Sequence, residues 1–284
     1  MAELPTSVIV GYDGSPDAKR ALTWGAVFAR TVEAPLRVVV ATGDMRLRQV
    51  TELDQEWERS RVAELAADAR AAASAVALDE DALAFVDAGP APALILDADP
   101  ASVIVLGSRG HGRVAGGLAG SVSQHVAHHA PCAVVVVREQ SSPEESRVVV
   151  GVDGSDNCKP ALEFAFAYAD RTAAPLTALH VLQTLSPGPP YASRYVGDRY
   201  ARELGEAEPL IEESLAEHVG KHPGVDVSRE IVAGSTGRVL CDASERAALL
   251  VVGSRGRGAF QSLLLGSVGQ AVLHRARCPV VIAR

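Results

Sequence analysis

Residues 107–121 read Gly107-Ser-Arg-Gly-His-Gly-Arg-Val-Ala-Gly-Gly-Leu-Ala-Gly-Ser121. The apolar run Ser102-Val-Ile-Val-Leu-Gly107 stands before it, and Val122-Ser-Gln-His-Val-Ala-His-His129 follows with helical spacing. A strand therefore feeds a glycine-rich loop that ends in Gly-Ser at the start of a helix. Glycines let the backbone turn sharply and approach a ligand closely. The first N–H groups of a helix lack internal partners, and its dipole favours negative charge there. Together these features make a cradle for phosphate, although a lone loop of this kind also serves as an ordinary strand–helix turn with Ser121 as cap.

A second copy tips the balance toward the cradle. Gly253-Ser-Arg-Gly256, nine residues and then Gly266-Ser267 repeat the spacing G-x-x-G-x9-G-S behind the strand-like run Ala248-Leu-Leu-Val-Val-Gly253. Val8-Ile-Val-Gly-Tyr-Asp-Gly-Ser15 matches Val148-Val-Val-Gly-Val-Asp-Gly-Ser155. Ala34-Pro-Leu36 matches Ala174-Pro-Leu176, and Cys132-Ala-Val-Val-Val matches Cys278-Pro-Val-Val-Ile. One unit thus occurs twice, as domains over 1–140 and 147–284, joined by the polar stretch Gln140-Ser-Ser-Pro-Glu-Glu-Ser146.

Within the first unit the pattern predicts strands at 7–12, 36–41, 83–88, 102–107 and 132–138. It predicts helices at 16–32, 56–78, 91–98 and 121–130, and a loop over 43–54. The second unit repeats the order. Its predicted strands are 147–152, 176–181, 226–233, 248–253 and 278–283; its helices are 156–172, 199–220, 235–246 and 267–276, with a loop at 183–198. Strands alternating with helices imply an α/β fold, here two tandem open five-stranded parallel sheets with helices on both faces. Strands covered on both faces read as nearly continuous apolar runs. The loop Leu185-Ser-Pro-Gly-Pro-Pro190 differs wholly from its counterpart near residue 43, which marks where the halves diverge.

Composition narrows the partners. A net charge of −8 argues against nucleic acid, which requires basic surface. No apolar run approaches the ~18 residues a membrane span needs, and Met1-Ala-Glu-Leu-Pro5 has neither region of a signal peptide. The expectation is a soluble, cytoplasmic chain. The four cysteines, Cys132, Cys158, Cys241 and Cys278, form no Cys-x-x-Cys and read as buried free thiols.

In an open parallel sheet, ligands bind beyond the carboxyl ends of the strands, where strand order reverses. Asp13 and Asp153 end strand one and the glycine loops end strand four, so both face one crevice if those strands are neighbours. A carboxylate there can accept hydrogen bonds from ribose hydroxyls or an adenine amino group, or help hold Mg²⁺ beside phosphate oxygens. Asp-Gly-Ser is also good helix-capping turn chemistry. Arg109 and Arg255 either contact phosphate or point to solvent; the residues leave both open.

Other phosphate and catalytic motifs fail. No lysine completes a G-x-x-x-x-G-K-[ST] loop. Gly110-His-Gly112-Arg-Val-Ala115 fits the loose dinucleotide pattern, but Gly256-Arg-Gly258-Ala-Phe-Gln261 does not, and neither has the trailing acidic residue. There is no G-x-S-x-G elbow. His125, His128 and His129 share a helix face and could chelate a metal, yet the second copy keeps one histidine, His274, which favours a packed or solvated face. No catalytic constellation recurs in both halves.

The repeated Val-Gly-x-Asp-Gly-Ser opening, the glycine spacing and the closing Cys-Pro-Val-Val strand resemble the universal stress protein family in its tandem, ATP-binding form. The resemblance covers both halves and implies a Rossmann-like sheet of order 3-2-1-4-5 in each. It implies that Asp13 contacts adenosine beside the backbone of Gly11 and of Ala41, at the tip of strand two. Gly107 and Gly110 would meet ribose and phosphates, with Arg109 and Gly112 in the same loop. Gly120, Ser121 and Val122 would take the phosphate tail through N–H groups and the hydroxyl. In the second half the same roles fall on Gly151, Asp153, Val181, Gly253, Arg255, Gly256, Gly258, Gly266, Ser267 and Val268. The implied ligands are ATP and Mg²⁺, the cation near Asp13 and Asp153, with one ATP per domain. The implied assembly is intrachain pairing of the halves through their last strands, with a homodimer and an unidentified protein partner left open. The implied function is an ATP-dependent switch in a stress response, not an enzyme beyond weak ATPase activity. The alternatives are a nucleotide-dependent enzyme, a slow ATPase or adenylyl-transfer type, and a stress scaffold with vestigial sites.

Overall fold

Val8, Ile9 and Val10 are buried to 1% exposure or less, and so are Val148, Val149 and Val150, because each triplet lies on the central strand of its own half. The computed structural model describes residues 5–41, 52–86, 90–110, 119–139, 146–183, 193–256 and 264–284. The chain divides into two compact units, with the boundary between Glu139 and Gln140. The stretch at 140–145, most of the expected linker, lies outside the described residues.

In the first half the described elements run β1 (Ser7–Tyr12), α1 (Pro16–Val32), β2 (Leu36–Ala41), α2 (Glu52–Ala75), β3 (Leu83–Val86), α3 (Pro90–Asp97), β4 (Ser102–Gly107), α4 (Ser121–His129) and β5 (Ala133–Val137). The strands are parallel, in the order β3-β2-β1-β4-β5. Val8 pairs with Leu36 on one side and Val103 on the other, so the strand order reverses across β1 and β4. The Ser15 hydroxyl caps α1 by accepting from the Ala18 N–H at 3.1 Å, Pro16 stands in the first turn, and Glu33 ends the helix in the left-handed region at φ 57°. The buried residues of α1 are Ala18, Ala21, Leu22, Gly25, Ala26, Phe28, Ala29 and Val32. A Cβ on Gly25 would lie 2.6 Å from Val10, so this glycine is what lets α1 seat against β1.

The second half runs β6 (Val148–Gly151), α5 (Lys159–Thr172), β7 (Leu176–Gln183), α6 (Ser193–Lys221), β8 (Val227–Gly234), α7 (Thr236–Ala243), β9 (Leu249–Gly253), α8 (Ser267–Arg275) and β10 (Val280–Ala283). Its parallel order is β8-β7-β6-β9-β10, again 3-2-1-4-5 counted within the half.

The structure corrects several boundaries. β7 runs on to Gln183, paired with Gly234, so Val181 lies two residues inside the strand and not at its tip. Helix α6 begins at Ser193, within the stretch expected as loop, because no proline or turn cluster interrupts the chain between Pro190 and the internal Pro209. The helix expected from 156 begins instead as a short 3-10 turn, Asp156–Cys158. Buried apolar runs describe the inner strands but not β8, whose Ser228, Arg229 and Glu230 are exposed. As an edge strand β8 has one ladder neighbour, and polar residues suit its open side.

Candidate functional site

A cavity of about 810 Å³ opens in the second half at the carboxyl ends of its central strands. That lies within the range of about 300–1,000 Å³ typical of small-molecule sites. Nine residues expected at the site line it: Gly151, Asp153, Val181, Gly253, Arg255, Gly256, Gly266, Ser267 and Val268. Gly258, and Gly112 in the first half, lie outside the described residues.

Close packing at the strand ends explains the glycines. A Cβ on Gly253 would sit 2.5 Å from the carbonyl oxygen of Asn157, and one on Gly107 would sit 2.6 Å from the backbone carbon of Asp17. In both halves the first turn after strand one therefore lies against the end of strand four. Gly11 has its own constraint, since a Cβ there would be 2.5 Å from Leu106. Each glycine loop is pinched shut at its neck. The Gly120 N–H donates to the carbonyl of Ser108 at 2.7 Å, and the Gly266 N–H to that of Ser254 at 2.8 Å. The amides of Gly120 and Gly266, expected from the sequence to meet a phosphate tail, are here engaged at the loop necks. The next amides, of Ser121 and Val122 and of Ser267 and Val268, belong to the first turns of α4 and α8. Neither helix has a side-chain cap, because its cap residue is a glycine.

Asp13 and Asp153 brace the Asp-Gly-Ser turn that precedes the cap serine, and they also face the loop. Oδ1 of each accepts the N–H of Ser15 or Ser155 at 3.0 Å, and Oδ1 of Asp153 also accepts the Ser155 hydroxyl at 2.7 Å. Oδ2 turns the other way, to 2.5 Å from where a Cβ on Gly110 would stand, and 2.7 Å in the Asp153–Gly256 pair. Only a glycine admits the carboxylate so close. The side chains of Arg109 and Arg255 are exposed, which puts Arg255 at the cavity rim. Ala41 ends β2, next to β1 on the side away from β4.

Sequence reasoning missed several site residues. Asp17 ties the first-half loop to α1: its Oδ2 accepts the Ser108 hydroxyl at 2.6 Å and the Arg109 N–H at 3.0 Å. The Ser123 hydroxyl donates to the Gly107 carbonyl at 2.7 Å. In the second half His180 lines the cavity, its Nδ1 2.7 Å from the Val152 carbonyl oxygen. A carbonyl only accepts, so Nδ1 carries the proton and, in the neutral ring, Nε2 is an acceptor. The other missed wall is α6, which presents Glu203, Glu206, Ala207 and Leu210 to the cavity. Their spacing of three, one and three is one helical face.

Cys158 also lines the cavity, but burial pushes its thiol up to about 11, so it stays a thiol and a poor nucleophile. All four cysteines are buried, and none is in a disulfide. Among the described residues no three or more His, Cys, Asp or Glu side chains gather as a metal cage. Mg²⁺ commonly needs no such cage, relying on one or two carboxylates plus phosphate oxygens and water. Asp13 and Asp153, whose Oδ2 faces Gly110 or Gly256, are carboxylates of the kind that could share such a cation with a polyphosphate. Among the described residues no helix is long and apolar enough to cross a membrane.

A duplicated, doubly wound α/β unit, with the same Asp–glycine-loop approach at each strand-order reversal and a glycine-lined cavity in the second half, defines a class of tandem proteins. The model of the universal stress protein family matches residues 6–138 and again 145–284. Universal stress protein Rv2005c of Mycobacterium tuberculosis is 35% identical over 289 residues, spanning 98% of this chain and 96% of its own length. Universal stress protein Rv2623 of the same organism is 34% identical over 292 residues, with 98% and 96% covered. The crystal structure of a universal stress protein from Archaeoglobus fulgidus superposes with a TM-score of 0.67 at 21% identity, covering 100% of this chain and 98% of that one. The chain belongs to the universal stress protein family.

Proposed function

We propose that this protein is an ATP-binding regulator of a stress response, holding one ATP with its Mg²⁺ in each half. Occupancy, and not turnover beyond slow hydrolysis, is its output. The observation that carries this reading is the gathering of the duplicated motif residues around one cavity in the second half. Charge suggests how a nucleotide lies there. The first turn of α8 and the Gly253–Gly256 bend suit phosphate, because unpaired amides and the helix dipole favour an anion. Glu203 and Glu206 on α6 repel phosphate but accept hydrogen bonds from ribose hydroxyls. Leu179 and Leu240 offer apolar surface to a base. The first half repeats the pinched loop and the Asp13–Gly110 approach, which supports a second site.

The test is the identity and number of nucleotides released by acid from purified protein, followed by incubation with Mg²⁺-ATP. About two adenine nucleotides per chain, without sustained release of phosphate or pyrophosphate, is the expected result. Sustained pyrophosphate release would make the protein an enzyme of the adenylyl-transfer type. A chain that carries no nucleotide and binds none in calorimetry would make it a scaffold with vestigial sites.

A further inference from the structure

Ser108 and Arg109 follow β4, and in the first half one carboxylate oxygen satisfies a donor from each. Asp17 Oδ2 accepts the Ser108 hydroxyl at 2.6 Å and the Arg109 N–H at 3.0 Å, while its Oδ1 pairs with Arg20. The same two donors recur after β9 as the Ser254 hydroxyl and the Arg255 N–H. Counting four residues on from Asp13 and from Asp153, the counterpart of Asp17 is Asn157, which is neutral and exposed. Among the described residues neither the Ser254 hydroxyl nor the Arg255 N–H has a hydrogen-bond partner. Ser254 is only 8% exposed, and both residues line the second-half cavity. A hydroxyl buried that deeply normally has a partner, because taking a polar group out of water unpaired is costly.

We propose that the Ser254 hydroxyl and the Arg255 N–H form an anion subsite in the second-half cavity, and that its ligand is an oxygen of a polyphosphate. The first half shows what such an oxygen does: Asp17 Oδ2 sits between the equivalent donors as a built-in anion. Hydrogen bonds from hydroxyl and amide donors to an ionised oxygen are the strong ones, which suits the pair to phosphate. The choice of a nucleotide polyphosphate as ligand rests on the ATP reading above. The determinant that separates the halves is the residue four places after the strand-one aspartate. A carboxylate there supplies the anion itself, whereas an asparagine leaves both donors to the ligand. The first half therefore has one phosphate contact fewer and a negative charge beside its loop. AMP carries too few phosphate oxygens to fill both this pair and the first turn of α8. The ratio of ATP to AMP affinity is accordingly larger in the second half.

NMR titration of the full chain with ATP, AMP and inorganic tripolyphosphate, followed at the Arg109 and Arg255 amides, tests this in the wild type, Asn157→Asp and Ser254→Ala. In the wild type, tripolyphosphate should move the Arg255 amide at concentrations about tenfold below those that move Arg109. Asn157→Asp sets a carboxylate against the two donors, and Ser254→Ala deletes one of them. Each should weaken ATP and tripolyphosphate at Arg255 by about tenfold or more, and AMP by less. Because Asn157 is exposed, Asn157→Asp should keep the wild-type circular dichroism spectrum. Affinities for ATP and tripolyphosphate at Arg255 that neither substitution changes overturn the subsite and leave the ATP reading standing. Tripolyphosphate binding at Arg255 with no response to ATP keeps the subsite and overturns the ATP reading. No response of Arg255 to any of the three ligands overturns both.

Discussion

Oδ2 of Asp153 stands 2.7 Å from the place a Cβ on Gly256 would occupy, and Asp13 stands in the same relation to Gly110 at 2.5 Å. The carboxylate at the end of strand one and the loop after strand four are thus fitted to each other twice in one chain. Gly256→Ala would drive the Asp153 carboxylate aside while leaving the sheet intact. The expected outcome is about tenfold weaker ATP binding in the second half, or ~1.4 kcal/mol, with the first half unaffected. Gly110→Ala should do the reverse. Calorimetry should resolve a tight and a weakened site in each variant; two unchanged sites would count against the carboxylate as a ligand contact.

The halves differ beside the same crevice, where His180 of the second half replaces Val40 of the first. His180→Leu removes the donor to the Val152 carbonyl and the Nε2 acceptor at the cavity wall. One ordinary hydrogen bond is worth about 0.5–1.5 kcal/mol, so second-half affinity should fall roughly two- to tenfold. His180→Asn, which can return an N–H donor toward Val152, should recover part of the loss. Equal weakening of both sites by His180→Leu would show that the effect is not local.

Much of this was legible in the sequence, and the reasons differ by element. The inner strands announce themselves because burial on both faces demands runs such as Val148-Val-Val, and the repeat doubles every such signal. The Asp–loop crevice could be anticipated once strands one and four were taken as neighbours. The grip of Asp17 on Ser108 could not, because 91 positions separate them and an acidic first-turn residue already has a local explanation in the helix dipole. The wall from α6 was hidden for a similar reason: proline-rich sequence before Ser193 reads as loop, and the face bearing Glu203 and Leu210 looks amphipathic without naming what it faces. Burial of the cysteines followed from their spacing, whereas exposure of β8 followed only from its place at the sheet edge.

Tyr12 supplies a prediction about stability in the first half. Its buried ring reaches out to donate a hydrogen bond to Asp68 Oδ2 at 2.7 Å, while Lys19 pairs with Oδ1 of the same carboxylate at 2.7 Å. Burial, and then the Asp68 carboxylate, hold the phenol well above its ordinary value, so it stays a donor at any working pH. Tyr12→Phe keeps the ring and deletes the bond that ties α2 to β1. A loss of about 1 kcal/mol is expected, read as a lower urea midpoint for the first half. The second half, with Val152 at this position, should unfold as before.

The last prediction concerns pH and falls on the second half. His218 is 4% exposed and stacks on Phe166 with ring centroids 5.4 Å apart, between α5 and α6. Burial lowers its proton affinity, while Glu163 and Glu217 pull weakly the other way and Lys221 and His222 add to the lowering. His222 beside it pairs with Asp170 at 3.0 Å. The folded chain therefore holds His218 neutral at a pH where the unfolded chain has already taken up a proton. Stability rises with pH wherever the unfolded state binds more protons, so this contribution is complete above the ordinary histidine value of about 6.5. It is lost progressively as pH falls below that value, toward the pH at which the folded group protonates. The urea midpoint of the second half should drop between pH 7.5 and pH 5, and His218→Gln should flatten that slope even if it lowers stability throughout. A slope equally steep in His218→Gln would move the pH dependence to other groups on the α5–α6 contact.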